Sequence, residues 1–198
     1  TWAISLAPGT YYCSVQAVDG AFAGSVPSAE LVVVVPAMIA SGSTLTPVQA
    51  PNGHAAVKWG DADGDGKLDL LTAGTNGVGQ TWFYRNVADS LVPHTTGLLG
   101  LTNAGVDWGD YDRDGLLDVA ITGTVANQRY LQVYRQQANH TFLLSADLTG
   151  FAQGTVAWGD FDDDGDLDLA VRGTTTGAAT GAATKLFRND AGAFVEHA

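Results

Sequence analysis

Twelve aspartates stand in register at three places in this sequence: Asp61, Asp63, Asp65 and Asp69, then Asp110, Asp112, Asp114 and Asp118, then Asp160, Asp162, Asp164 and Asp168. Counted from the first Asp of each set they hold positions 1, 3, 5 and 9, and Gly66, Gly115 or Gly165 holds position 6. Alternate carboxylates on a tightly curled loop converge on one centre, and the glycine lets the backbone turn back around it. The carbonyl of position 7 (Lys67, Leu116 or Asp166) then points inward as well. Four carboxylates so close together repel one another unless a cation lies among them or some take up protons. An all-oxygen set without His or Cys suits a hard ion, and a flexible loop offering six or more oxygens favours calcium over the stricter magnesium. The expectation is three calcium ions, one per loop, whose added charge of +6 would bring the formal charge from -12 to -6.

Other acidic motifs fit less well. An EF-hand shares the opening spacing but needs a bidentate acid at position 12 and a helix after it. Position 12 here is Thr72, Ile121 or Val171, inside an alternating apolar pattern. The calcium β-roll needs glycine-glycine repeats that are missing. A glycosidase uses one carboxylate pair, whereas identical chemistry three times over points to structural cation sites.

The elements that position these loops are repeated too. Trp59-Gly60-Asp61, Trp108-Gly109-Asp110 and Trp158-Gly159-Asp160 lie 49 and 50 residues apart, each with a Val two residues before the Trp (Val57, Val106, Val156). A near-constant period of this size means repeated supersecondary units. After each loop the pattern alternates with period two through Leu68, Leu70 and Thr72, through Leu117, Val119 and Ile121, and through Leu167, Leu169 and Val171. These are strands, ended by Gly74, Gly123 and Gly173, so the acidic loop joins two strands of a hairpin. A third strand follows at Thr81–Asn86, Tyr130–Arg135 and Lys185–Asn189, and a weaker fourth run after it. Four short antiparallel strands per repeat is the anatomy of a propeller blade. The fold class expected is all-β: a partial β-propeller of three four-stranded blades with calcium-binding loops, covering about residues 54–102, 103–152 and 153–198.

The motif Trp-Gly-Asp-x-Asp-x-Asp-Gly-x-Leu-Asp with its flanking strands resembles the FG-GAP or VCBS repeats of integrin α-subunit propellers. The resemblance implies a calcium-binding rim loop between the first two strands of each blade, and an extracellular module that meets protein or carbohydrate ligands on other loops. Such propellers usually have seven blades, so three repeats are expected to be part of a longer adhesin or secreted enzyme, and an open arc to associate with copies of itself or with missing blades. Residues 1–36 do not share the period. Leu6–Tyr12 and Val15–Asp19, followed by the run Glu30–Val35, resemble the last two strands of a fibronectin type III domain, with 37–53 as a linker. That reading has the chain begin in mid-domain.

Composition narrows the function classes. With 21 acidic against 9 basic residues the surface would repel a phosphate backbone, so nucleic acid is not an expected partner. The run Leu31–Ala40 is too short to span a bilayer and contains Pro36, so no membrane span is expected. Cys13 is the only cysteine, which excludes an intrachain disulfide. His54, His94, His140 and His197 share no spacing and no recurring acidic partner, and no Ser-His-Asp order is present. The three motif tryptophans, with Trp82, Phe83 and Tyr84, read as packing residues rather than a sugar-stacking row. Asn139-His140-Thr141 is a glycosylation sequon of little weight. Gly74–Gln80, Gly123–Arg129 and Gly173–Ala183 are the candidate ligand loops. The expected function is a secreted or cell-surface, non-catalytic calcium-binding module for adhesion or for protein or carbohydrate binding. The alternative is a piece of a lyase-type secreted polysaccharide-degrading enzyme, which would need a basic cluster the sequence lacks.

Overall fold

In a computed structural model of the chain, residues 9–13, 31–35, 55–175 and 181–197 are described, the first two stretches as backbone only. The chain divides into two compact units, Thr1–Gly42 and Ser43–Ala198. In the first, β1 (Gly9–Cys13) pairs antiparallel with β2 (Leu31–Val35), Gly9 opposite Val35 and Cys13 opposite Leu31. β1 thus covers the end of the Leu6–Tyr12 stretch and continues to Cys13. The rest of the fibronectin-like signature, the 37–53 linker, His54 and the Cys13 side chain lie outside the described residues.

The second unit is built from antiparallel strands only among its described residues. A four-stranded sheet runs in sequence order through β3 (Ala56–Gly60), β4 (Asp69–Thr75), β5 (Gly79–Val87) and β6 (Ser90–His94). A seven-stranded meander follows: β7 (Thr102–Gly109), β8 (Asp118–Val125), β9 (Gln128–Gln136), β10 (Phe142–Gly159), β11 (Asp168–Thr174), β12 (Ala182–Asp190) and β13 (Ala193–His197). Each acidic segment is the loop of a hairpin, β3–β4, β7–β8 or β10–β11.

Two details depart from the sequence reading. The fourth strand of the second repeat and the first of the third are one continuous strand, β10. It pairs with β9 from Phe142 to Phe151 and with β11 from Ala152 to Gly159, changing partner among register shifts. Bulges of this kind bend and twist a strand, which lets one chain segment serve two sheets facing different ways. Nor do Gly74, Gly123 and Gly173 end the second strands, which run on to Thr75, Val125 and Thr174. The first two of these strands are covered on both faces, every residue of β4 and all but the last of β8 being buried, whereas β11 leaves Arg172 exposed.

The cores lie between successive repeats. Leu71, Ala73 and Phe83 of the first repeat pack with Val106, Val119 and Ile121 of the second. Tyr111, Ala120 and Val133 of the second pack with Val156, Leu169 and Val171 of the third. The motif tryptophans cross these junctions. A Cβ added at Gly60 would lie 2.8 Å from Trp108 Cδ1, and one at Gly109 would lie 2.6 Å from Trp158 Cδ1. Glycine therefore precedes each of these acidic loops because the next repeat's indole rests on its backbone.

The first repeat breaks the expectation that all three tryptophans are packed. Val57, Trp59 and Leu68 are 56%, 56% and 55% exposed. Their counterparts Val106 and Val156 are buried, and Trp108, Trp158, Leu117 and Leu167 are half-buried, because a preceding repeat covers them.

Candidate metal centre

Each acidic loop is wound by the same hydrogen bonds. The position 1 carboxylate accepts from the N–H groups of positions 5 and 6: Asp65 (3.1 Å) and Gly66 (2.9 Å) on Asp61, Asp114 and Gly115 (3.0 Å each) on Asp110, Asp164 (3.2 Å) and Gly165 (3.0 Å) on Asp160. Gly66, Gly115 and Gly165 have φ of +85°, +88° and +90°, and beside Gly66 and Gly115 an added Cβ would meet nothing within 4 Å. Backbone conformation, not space, selects glycine there. Position 4 is also left-handed, at Gly64, Arg113 and Asp163, a feature the sequence pattern did not mark.

Asp69, Asp118 and Asp168 at position 9 are fully buried. One oxygen of each accepts the position 2 N–H, from Ala62 at 3.0 Å, Tyr111 at 3.2 Å or Phe161 at 3.0 Å. The other accepts an N–H from the third strand of the same repeat, from Asn86 at 2.7 Å, Gln136 at 2.8 Å or Asn189 at 2.8 Å. This carboxylate fastens the loop to the sheet while keeping a second lone pair on each oxygen.

Of the aspartates read from the sequence, the structure brings together those at positions 1, 3 and 9. Asp61, Asp63 and Asp69 each offer an oxygen within 4.8 Å of the others, as do Asp110, Asp112 and Asp118, and Asp160, Asp162 and Asp168. Oxygens on opposite sides of one calcium ion are roughly 4.6–5.2 Å apart, twice the usual Ca–O distance, so each trio fits the first coordination shell of one such ion. Asp65, Asp114 and Asp164 stand outside these trios. An oxygen of each accepts the N–H of Lys67 (2.8 Å), Leu116 (2.9 Å) or Asp166 (2.9 Å), which is how those position 7 residues are placed.

Burial and mutual repulsion perturb the carboxyls. Burial, together with the charges of Asp112 and Asp114, pushes Asp118 up to about 7 against the pull of its two backbone donors. Burial likewise raises Asp69, and burial with the neighbouring carboxylates raises Asp162. At Asp63 burial also acts upward, but the Arg85 guanidinium outweighs it and the net shift is downward.

That arginine belongs to a second recurring set, which the sequence reading treated only as strand. Arg85 Nε donates to Asp63 Oδ2 at 2.9 Å, and Arg135 pairs with Asp112 at 2.6 Å and Asp114 at 2.8 Å. Arg188, at the same register position, pairs with Asp190 at 2.6 Å. The signal was present as an aromatic residue, an Arg and an Asn or Gln at the end of each third strand: Tyr84-Arg85-Asn86, Tyr134-Arg135-Gln136 and Phe187-Arg188-Asn189. The third residue carries the junction. Gln136 Nε2 donates to Ala62 O at 2.6 Å, and Asn189 Nδ2 to Tyr111 O at 3.0 Å, each reaching the loop of the preceding repeat.

Residues 61–121 match the FG-GAP-like repeat family. The matched span opens on the first acidic loop and closes just beyond the second, so it contains both complete loops and strands β4 to β7 between them. No curated protein matches the chain. The edge of the sheets away from the acidic loops carries the turns between β4 and β5 and between β8 and β9. There, two grooves of about 300 Å³ and 250 Å³ share Gln153 and Thr174, one lined by Arg172 and the other by Arg129, Asn127 and Asn103. His94 and His140 meet at 6.2 Å between ring centroids, a pairing their sequence positions did not suggest. No helix among the described residues is long and apolar enough to cross a membrane.

Proposed function

We propose that this chain is an extracellular, non-catalytic β-propeller module in which a calcium ion in each acidic loop fastens a blade, and whose opposite rim binds a protein or carbohydrate. The observation that carries the reading is the trio at positions 1, 3 and 9, repeated three times with the same hydrogen bonds. Three equivalent hard-oxygen clusters on three equivalent hairpins fit a structural ion better than a single reaction centre. The match to FG-GAP-like repeats supports calcium as the ion, since this loop is their calcium site, and supports an extracellular setting where calcium is plentiful. When bound, the ion would neutralise the carboxylates. The protein's own part is to wind the loop on its position 1 aspartate and clasp it to the third strand through position 9. The grooves beside Arg129 and Arg172 are the proposed ligand surface, cationic points on an otherwise acidic protein.

Calcium removal tests the reading. An ion that binds only the folded chain at about a hundred times its Kd contributes ~2.7 kcal/mol. At ~2–4 °C per kcal/mol for a chain of this size, chelation should lower Tm by roughly 5–11 °C per site, and calcium in excess over chelator should restore it. A melting curve indifferent to chelator refutes the calcium assignment.

A further inference from the structure

Arg129 lines a groove between the second and third repeats with no carboxylate to answer its charge, and we infer that this groove binds the carboxylate of an acidic saccharide, a uronate unit. The inference rests on the reading of this edge as the ligand surface and narrows the ligand to one chemical class.

The chain has nine Lys and Arg residues against 21 acids. Seven of the nine pair with a carboxylate. Among the described residues, Arg129 and Arg172 do not. Arg172 is an exposed residue of β11, as a solvated charge can be. Arg129 is half-buried, its Nε is cut off from solvent, and none of its N–H groups has an acceptor among the described residues. A buried donor without a partner is uncommon in folded proteins, and a guanidinium cannot shed its charge to escape the cost.

The walls of the groove select what fits. Its volume is about 250 Å³, and Asn103 and Asn127 of the second repeat face it together with Ala152 and Gln153 of the third. No acidic, aromatic or large aliphatic residue lines it. Asn103 and Gln153 hold equivalent places in successive repeats, each with left-handed backbone at φ +52° beside a register shift in its strand. Such bulges re-aim side chains, and here they bring amides of two repeats to one groove. Asn103 Nδ2 donates to Thr124 Oγ1 at 3.4 Å, while the Asn127 and Gln153 amides have no partner among the described residues.

A guanidinium offers a planar fork of donors that matches a carboxylate. One cation balances a single negative charge, which suits a carboxylate rather than a phosphate dianion. Amide side chains both donate and accept, as the hydroxyls of a sugar do. The groove lacks the apolar seat that the anchor residue of a protein partner would fill. A uronate, which carries a carboxylate on a ring of hydroxyls, meets these conditions together. The acidic loops do not repel it. Thr124 in the groove and Asp118 lie six residues apart at opposite ends of β8, roughly 20 Å at the usual strand rise. That is more than two Debye lengths of about 8 Å at physiological salt.

The test titrates the whole chain, in calcium-containing buffer, with a β-1,4-linked glucuronate trimer followed by calorimetry. The trimer is expected to bind, more weakly as NaCl is raised, and the neutral glucose trimer of the same linkage is not. Arg129→Gln should weaken binding about ten- to a hundredfold, the loss of one charge-assisted pair. Arg129→Lys, which keeps the charge without the fork, should recover part of it. Asn127→Gly keeps the left-handed turn and removes only the amide, so it tests the groove without disturbing the half-buried arginine. It should weaken binding about two- to tenfold, and the Tm of every variant checks its folding. No binding by wild type, binding undiminished in both Arg129→Gln and Asn127→Gly, or equal binding of the neutral trimer each overturns the proposal. Displacement of the trimer by equimolar sulfate also overturns it, reducing the groove to a bare anion seat. Preferential binding of a glutamate tripeptide would overturn the saccharide assignment and leave this edge as the ligand surface. Loss of the calcium-dependent Tm shift with uronate binding intact would sink the calcium reading alone.

Discussion

Replacing Gly109 by Ala should destabilise the protein, whereas the same change at Gly159 should not. The two glycines hold the same place in successive repeats and neither has the positive φ that would itself penalise a side chain. They differ in what lies above them. The new methyl at 109 would sit 2.6 Å from Trp158 Cδ1, 2.7 Å from Cγ and 2.9 Å from Nε1. Carbon atoms at van der Waals contact are about 3.5–4.0 Å apart, so the indole must retreat by roughly an ångström. Trp158 stacks on Tyr111 at 5.9 Å with 8° between the rings and touches Phe194, so its retreat disturbs the whole second core. Overpacking of this kind costs about 1–3 kcal/mol, or a Tm fall of roughly 2–12 °C at ~2–4 °C per kcal/mol. Gly159→Ala meets open space and should stay within about 0.5 kcal/mol of wild type. Urea unfolding followed by tryptophan fluorescence gives both values. Equal stability of the two variants would refute the Trp-on-Gly junction.

Two further outcomes follow from the site. In calcium-free solution a carboxyl raised in the folded state binds more protons than in the unfolded state, so Asp118 should make stability fall as pH rises from 3.8 to about 7. Asp69 and Asp162 act in the same sense. Asp118→Asn should flatten that slope and, with calcium present, weaken the gain from the metal, both read from Tm against pH. At the junction, Gln136→Ala leaves the buried Ala62 carbonyl unpaired and should cost about 1–3 kcal/mol. Asn86→Ala, which breaks an exposed bond within its own repeat, should cost under about 1 kcal/mol. Equal costs in denaturant titrations would contradict the assigned roles.

Much of this molecule was legible in the chain alone. The period of the Trp-Gly-Asp triplet gave the repeats, the alternation after each loop gave the second strands, and the spacing of the aspartates marked one cluster per hairpin. These are local properties, fixed by backbone geometry within a dozen residues. What lay beyond local reach was decided by the packing of one repeat on the next. The triplet's glycine is explained only by the following repeat's indole. The three tryptophans share the Val-x-Trp-Gly-Asp context, yet Trp59 is exposed and Trp158 is half-buried, because burial depends on a neighbour some 50 residues away. The division of labour among four similar aspartates likewise needed the third strand, whose N–H groups select position 9 as the buried clasp and whose arginines, in the first two repeats, reach positions 3 and 5. The continuous β10 arises from the same cause, since a strand's length is set by the partners available along it.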